Sequence, residues 1–134
     1  MSLSDCRVLE IPCIADERGN LAVVERDSGF EIRRVYWLYD VPAAASRAGH
    51  AHRTLRQLIV AVSGSCDVTL DDGSARRTFR LDRPDRGLYV HPMTWRELDA
   101  FSAGTVLVVL ASAPYDEADY YREYDAFLPA ARAT

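Results

Sequence analysis

Nine apolar, β-branched runs of strand length recur along the chain at short intervals: RVLEIPCI, LAVVER, RRVYWLYD, RQLIVAVSG, CDVTLDD, RRTFRLD, GLYVHP, WRELDAFS and TVLVVLAS. Turn signals stand between them, among them Arg18-Gly19-Asn20, Asp71-Asp72-Gly73-Ser74 and Arg83-Pro84-Asp85-Arg86-Gly87. The segment VTLDDGSARRTFRL reads as a hairpin around Asp72-Gly73. Many short strands with regular turns bury their apolar faces only against one another, which leaves a sandwich or a closed barrel. The tail departs from this rhythm. From Tyr115 onward, YDEADYYREYDAFLPAARA has helical spacing with Asp116 placed as an N-cap, so one or two short helices are expected to close the chain. No repeat, low-complexity run or linker interrupts the pattern, and all 134 residues are expected to form one all-β domain.

Composition narrows the chemistry. The chain is 49% apolar, enough to bury a core without disulfides, and its formal net charge of -4 argues against nucleic acid or an anionic membrane as partner. Its apolar stretches are strand-length, too short to span a bilayer, and no secretory leader is recognisable. Cys6, Cys13 and Cys66 are odd in number and dispersed, which suggests neither a disulfide framework nor a zinc knuckle and fits a reducing cytoplasm. All 16 basic residues are arginine. Without a lysine there is no Schiff-base nucleophile, whereas arginine supplies planar, permanently charged forks for phosphate and carboxylate. Phosphate-loop, nucleophile-elbow and H-E-x-x-H signatures are absent from the sequence.

The stretch SRAGHAHRTLRQLIVAVSGS carries His50 and His52, two of the three histidines, spaced so that a strand would point both imidazoles to one face. Flanked by Gly49 and Gly64, it resembles a first cupin motif, in which two histidines, a glutamate and a later histidine hold a divalent metal. Gln57 stands where the glutamate is expected, and Arg96, in GLYVHPMTWREL, stands where the last histidine would align. A neutral amide is a poor ligand and a guanidinium has no lone pair to give, so no metal is expected. An imidazole pair with an ordinary pKa of about 6.5 is suited instead to accepting and returning a proton. Tyr36, Trp37 and Tyr39 precede the pair on a strand where Tyr36 and Leu38 should face opposite to Trp37 and Tyr39. Arg18, Arg34, Arg47 and Arg96 are candidates to grip an anion, Arg47 foremost because it lies nearest the histidines. His91, before a proline, is expected at the surface or the edge of the core.

Longer elements carry a more specific resemblance. R-x-G-H-A-H, Q-L-I-V-x-V-S-G-S-C, L-D-D-G, G-L-Y-V-x-P-x-x-W and A-S-x-x-Y-D-E-x-D-Y, with ADERGNLAVVE near the start, resemble the WxcM-like cupin family of sugar-nucleotide 3,4-ketoisomerases over nearly the whole chain. The resemblance implies a cupin jelly roll and a homodimer that exchanges N-terminal strands. It implies neither metal nor other cofactor, and a substrate of dTDP-4-keto-6-deoxyglucose whose ketone moves from C4 to C3 on the way to 3-amino-3,6-dideoxyhexoses. Carried over by position, it makes His50, His52 and Tyr36 catalytic and puts Arg47 near the nucleotide-sugar. Arg18 and Arg96 then lie close to the sugar, and Trp37 replaces a second tyrosine in the aromatic wall. Independently of the resemblance, Gln57 on the following strand is expected to hold a histidine tautomer by hydrogen bonding. The competing readings are a sugar-nucleotide-binding cupin without activity and a metal-dependent cupin isomerase or epimerase.

Overall fold

The computed structural model describes residues 3–26 and 28–133. Strands β1 (Arg7–Glu10), β2 (Cys13–Asp16), β3 (Gly19–Ala22), β4 (Arg34–Leu38), β5 (Arg47–His52) and β6 (Gln57–Ser63) are followed by β7 (Cys66–Asp71), β8 (Arg76–Leu81), β9 (Arg86–Val90), β10 (Trp95–Asp99) and β11 (Val106–Ala111). A two-residue strand β12 (Tyr120–Tyr121) and helix α1 (Tyr124–Arg132) end the chain. Two five-stranded sheets, ordered β1-β9-β6-β11-β4 and β12-β5-β10-β7-β8, form a cupin jelly-roll sandwich, and β2 and β3 pair as a separate hairpin. The turn at Asp72-Gly73 joins β7 to β8 as its sequence predicts, with the Asp72 carboxylate accepting from the Ser74 and Ala75 N–H groups.

Period-two alternation builds the core. On β6, Ile59 and Ala61 point between the sheets while Leu58 and Val60 point outward; on β11, Leu107 and Val109 point in. These join Val68, Leu70, Phe79, Leu81, Leu88, Val90, Leu98 and Phe101 in one apolar interior. The outer face of the second sheet is covered by α1, whose Phe127 packs on Trp95 and Ala51. Complete burial of a phenylalanine is worth about 1.5–3 kcal/mol, so this contact anchors the tail.

The tail divides as its caps dictate. Asp116 accepts from the Ala118 N–H and starts a single 3-10 turn, Glu117–Asp119. The helical spacing expected from Tyr115 is broken at Tyr120 and Tyr121, which pair in register with His52 and Ala51 on β5. Helix resumes only at Tyr124. No helix among the described residues is long and apolar enough to cross a membrane.

At one end of the sandwich the inward positions change character. By the alternation that places Leu98, Ile59 and Leu38 inside, Arg96, Gln57 and Tyr36 also point inward, as do His50 and His52 from β5. Polar side chains at core positions cost stability unless paired, so this end marks where function has displaced packing.

Candidate active site

The polar end opens into a cavity of about 510 Å³, whose wall includes Tyr36, His50, Gln57, Arg96, Tyr120, Arg34, Arg47 and Arg122. Four arginines and no carboxylate line it among the described residues, an electrostatic bias toward an anion in a chain of net negative charge.

A bulge aims His50. On β10, Arg96 and Glu97 are consecutive, yet they pair with His50 and Ala48 on β5, leaving Gly49 as the extra residue. Gly49 has φ of 66° and Ala48 has φ of 73°, a left-handed pair that favours glycine and strains the alanine. A Cβ on Gly49 would meet nothing within 4 Å, so the glycine answers a need of the backbone and not of space.

The two histidines share a face but not a role. Their rings stand edge to face at 4.8 Å between centroids. His50 lines the cavity, whereas His52, 1% exposed, lies behind it against a separate space of about 50 Å³. Burial, reinforced by the Arg96 charge, pushes the His50 pKa down to about 3 and that of His52 down to about 2. Both imidazoles are therefore neutral near pH 7. His52 Nδ1 lies 3.2 Å from Asp119 Oδ2, and since a carboxylate only accepts, Nδ1 carries the proton. The contact is a hydrogen bond from a neutral imidazole, not an ion pair. His52 Nε2 is buried with no hydrogen-bond partner among the described residues.

Gln57 was expected to hold a histidine tautomer and does not. Its amide spans Arg96 and Tyr36 instead: Oε1 accepts from the Arg96 guanidinium, and Nε2 lies 3.0 Å from the Tyr36 hydroxyl. The tautomer is set by Asp119, which also accepts from the Thr54 N–H, the Thr54 hydroxyl and the Leu55 N–H. Arg96, 1% exposed, donates to Gln57 and to the Thr94 carbonyl and makes no ion pair among the described residues. Burial lowers its pKa to about 10, which leaves it a cation at neutral pH.

Arg47 lines the cavity together with Arg34 and Arg122. Arg34 lies over the rings of Tyr36 and Tyr115, at 5.1 and 5.8 Å, and Arg122 lies 3.9 Å over Tyr120. Glu117 grips Arg122 through two contacts of 2.7 Å, which hold its carboxyl down at about pKa 2. Tyr120, 5.0 Å from His50 and 4.3 Å from His52 between centroids, wedges the imidazoles from β12.

Two of these expectations, for Trp37 and Arg18, are corrected. Trp37 does not wall the cavity: it alternates to the outer face of β4, 58% exposed, and Tyr39 is likewise exposed, while Tyr36 and Leu38 face in. Arg18 lies outside the cavity, at the exposed tip of the β2–β3 hairpin, forked onto Asp16 at 2.7 Å. His91 sits outside the cavity with Nδ1 2.8 Å from the Tyr89 hydroxyl, the edge position expected for it. Asp119, Tyr120, Tyr115 and Arg122 received no role from sequence; all lie in the tail motif, whose helical pattern concealed a strand.

A model of the family described as FdtA: WxcM-like, C-terminal, matches residues 4–132. The chain is 44% identical over 123 residues to the TDP-4-oxo-6-deoxy-alpha-D-glucose-3,4-oxoisomerase of Aneurinibacillus thermoaerophilus, covering 90% of this chain and 88% of that protein. It is 44% identical to the crystal structure of the TDP-quinovose 3,4-ketoisomerase WlaRB from Campylobacter jejuni, with a TM-score of 0.90 over 93% of this chain and 98% of that one. It is 35% identical to a histidine-to-asparagine variant of the 3,4-ketoisomerase QdtA from Thermoanaerobacterium thermosaccharolyticum in complex with TDP-4-keto-6-deoxyglucose, with a TM-score of 0.95 over 98% of this chain and 97% of that one. With a cavity that sets a neutral histidine beside a buried arginine, and with these matches along almost its full length, the chain belongs to the WxcM-like, C-terminal (FdtA) family of sugar-nucleotide ketoisomerases.

Proposed function

We infer that the protein is a dTDP-sugar 3,4-ketoisomerase that moves the ketone of dTDP-4-keto-6-deoxyglucose from C4 to C3. The observation that carries the reading is the meeting, in one cavity, of a neutral base (His50), a tyrosine hydroxyl (Tyr36) and a buried cation with no counter-ion among the described residues (Arg96). His50 takes the C3 proton, and the electrons of that bond form a C3–C4 double bond while the C4 oxygen gains the charge. A proton passes from the C3 oxygen to the C4 oxygen by way of Tyr36, and His50 returns its proton to C4, leaving the ketone at C3. The barrier lies in the weak acidity of carbon. Proximity of the base lowers it, and the Arg96 charge, held in a site of low dielectric, stabilises the enediolate. His52, locked by Asp119, acts as the wall that orients His50.

Arg47 and Arg34, with Arg122, supply the positive rim suited to a diphosphate. A homodimer with exchanged N-terminal strands fits two features. Every residue of β2 and β3 is exposed, including Ile14 and Leu21, which pair across the hairpin, and an isolated two-stranded hairpin is marginal in water. The outer face of the first sheet also carries an apolar groove of about 340 Å³ lined by Val35, Val60, Val62, Val108 and Leu110. In such a dimer Arg18 would serve the partner's cavity.

Proton NMR of the product formed from dTDP-4-keto-6-deoxyglucose tests the reading. A C3 ketone is expected, and unchanged substrate would reject it. His50→Asn should bind the sugar nucleotide normally and turn it over about 100- to 10,000-fold more slowly; full turnover would remove His50 as the base.

A further inference from the structure

We propose that Arg96, acting through Gln57, fixes the polarity of the Tyr36 hydroxyl, so that Tyr36 meets the substrate as a hydrogen-bond donor. The inference rests on the ketoisomerase reading and assigns Gln57 a positioning role within it. An amide side chain has one accepting and one donating end. Arg96 has only donors, so the Gln57 end facing it must be the carbonyl oxygen, and the contact between Arg96 and Gln57 Oε1 is of that kind. The amide nitrogen is thereby committed to Tyr36, 3.0 Å away. Gln57 and Arg96 are each 1% exposed, so solvent has no access from which to turn the amide over.

The consequence reaches the reacting atoms. The Tyr36 oxygen accepts from Gln57 and makes no other hydrogen bond among the described residues, so its own proton is free, and the ring lines the cavity. The proton therefore points at the bound sugar. Burial pushes the Tyr36 pKa up, which keeps that proton in place at neutral pH. In the isomerisation, Tyr36 starts by giving its proton to the C4 oxygen as charge gathers there. The phenolate left behind is held by the Gln57 N–H until the C3 oxygen returns a proton. Were Gln57 reversed, its carbonyl would capture the tyrosine proton and the substrate would face a lone pair.

Gln57→Glu performs that reversal. A carboxylate still accepts from Arg96, which favours folding, but it also accepts from Tyr36 and turns the tyrosine proton away from the sugar. Turnover of dTDP-4-keto-6-deoxyglucose is measured for the wild type, Gln57→Glu, Tyr36→Phe and the double variant, with thermal unfolding of each. Because the carboxylate also gives Arg96 a counter-ion, the expected result is a kcat about 100-fold lower for Gln57→Glu with KM within about threefold, of which only the smaller part owed to Arg96 survives in the Tyr36→Phe background. Should Gln57→Glu slow the Tyr36→Phe enzyme by its full factor, or retain the wild-type kcat, the relay is wrong while the ketoisomerase reading stands. An inactive wild type would instead remove the reading and the relay together. If Gln57→Glu fails to fold, Gln57→Met takes its place in the cycle, with an expected loss of about tenfold that must vanish in the Tyr36→Phe background; a loss that persists there overturns the relay.

Discussion

His52 Nδ1 and Asp119 Oδ2 meet at 3.2 Å across 67 residues of sequence, and each Asp119 oxygen accepts twice: Oδ1 from the Thr54 N–H and hydroxyl, Oδ2 from the Leu55 N–H and His52. All four donors need an acceptor. In Asp119→Asn, one end of the amide becomes a donor facing donors, which either turns the His52 ring or shifts its proton to Nε2. Histidine side-chain nitrogen shifts in NMR should report the change of tautomer, with kcat about 10- to 100-fold lower and KM nearly unchanged. Asp119→Ala should fold less stably as well, because it strands the Thr54 and Leu55 N–H groups. A variant with wild-type kcat and an unmoved tautomer would show that Asp119 serves the loop and not the histidine.

The inward stripe was readable from the sequence because alternation on a strand is rigid. Placing Tyr36 opposite Trp37, and His50 beside His52, needs only a period of two. Which of the two faces of β4 looks into the molecule was a separate matter, since both carry apolar residues, and Trp37 went to the outside. Asp119 was beyond reach for a different reason. Its tail pattern of acids and aromatics satisfies helical spacing, and only the tertiary pairing of Tyr120 with His52 overrides that local preference. Arg18 was placed beside the sugar by family position, and the fold holds it at a hairpin tip.

The depressed histidines make a prediction about pH. With its pKa near 3, His50 is already deprotonated through the neutral and mildly acidic range, so if it is the base, kcat/KM should lack an inflection near pH 6.5 and stay level down to about pH 5. Stability follows the same groups with a definite sign. The unfolded chain protonates these histidines below about pH 6.5 while the fold keeps them neutral. Between that value and about pH 3 the unfolded state binds more protons, and stability falls as pH drops through the window. Unfolding temperatures measured at pH 7 and pH 5 should differ less in His52→Gln than in the wild type. An equal difference would place the acid sensitivity elsewhere.

Arg47 lines the cavity as an exposed residue, whereas Arg96 is buried. A rim cation that meets the diphosphate contributes equally to the ground and transition states, since the phosphates do not react. Arg47→Ala should therefore raise KM about tenfold with kcat within about twofold, and its KM should respond less steeply to added salt. A fall in kcat at constant KM would put Arg47 at the sugar ring instead of the phosphates.

The outer face of the first sheet supplies the remaining test. Val62 is 42% exposed and Val35 is 48% exposed, both on the apolar groove. In an isolated monomer, Val62→Asp would replace an exposed apolar residue by a solvated one and change stability by about 0.5 kcal/mol or less. In a dimer that covers this face, the same change buries an unpaired carboxylate at the interface, which costs several kcal/mol and drives dissociation. Because Arg18 would then leave the partner's cavity, dissociation should carry activity down with it, by about tenfold or more in kcat/KM. Sedimentation equilibrium of the wild type and Val62→Asp, read beside turnover at several protein concentrations, separates the cases. Loss of the dimer together with activity, partly recovered at high concentration, is the expected result. A wild type that sediments as a monomer, or a Val62→Asp enzyme that stays dimeric and fully active, would mean that something other than a second copy of this chain covers the face.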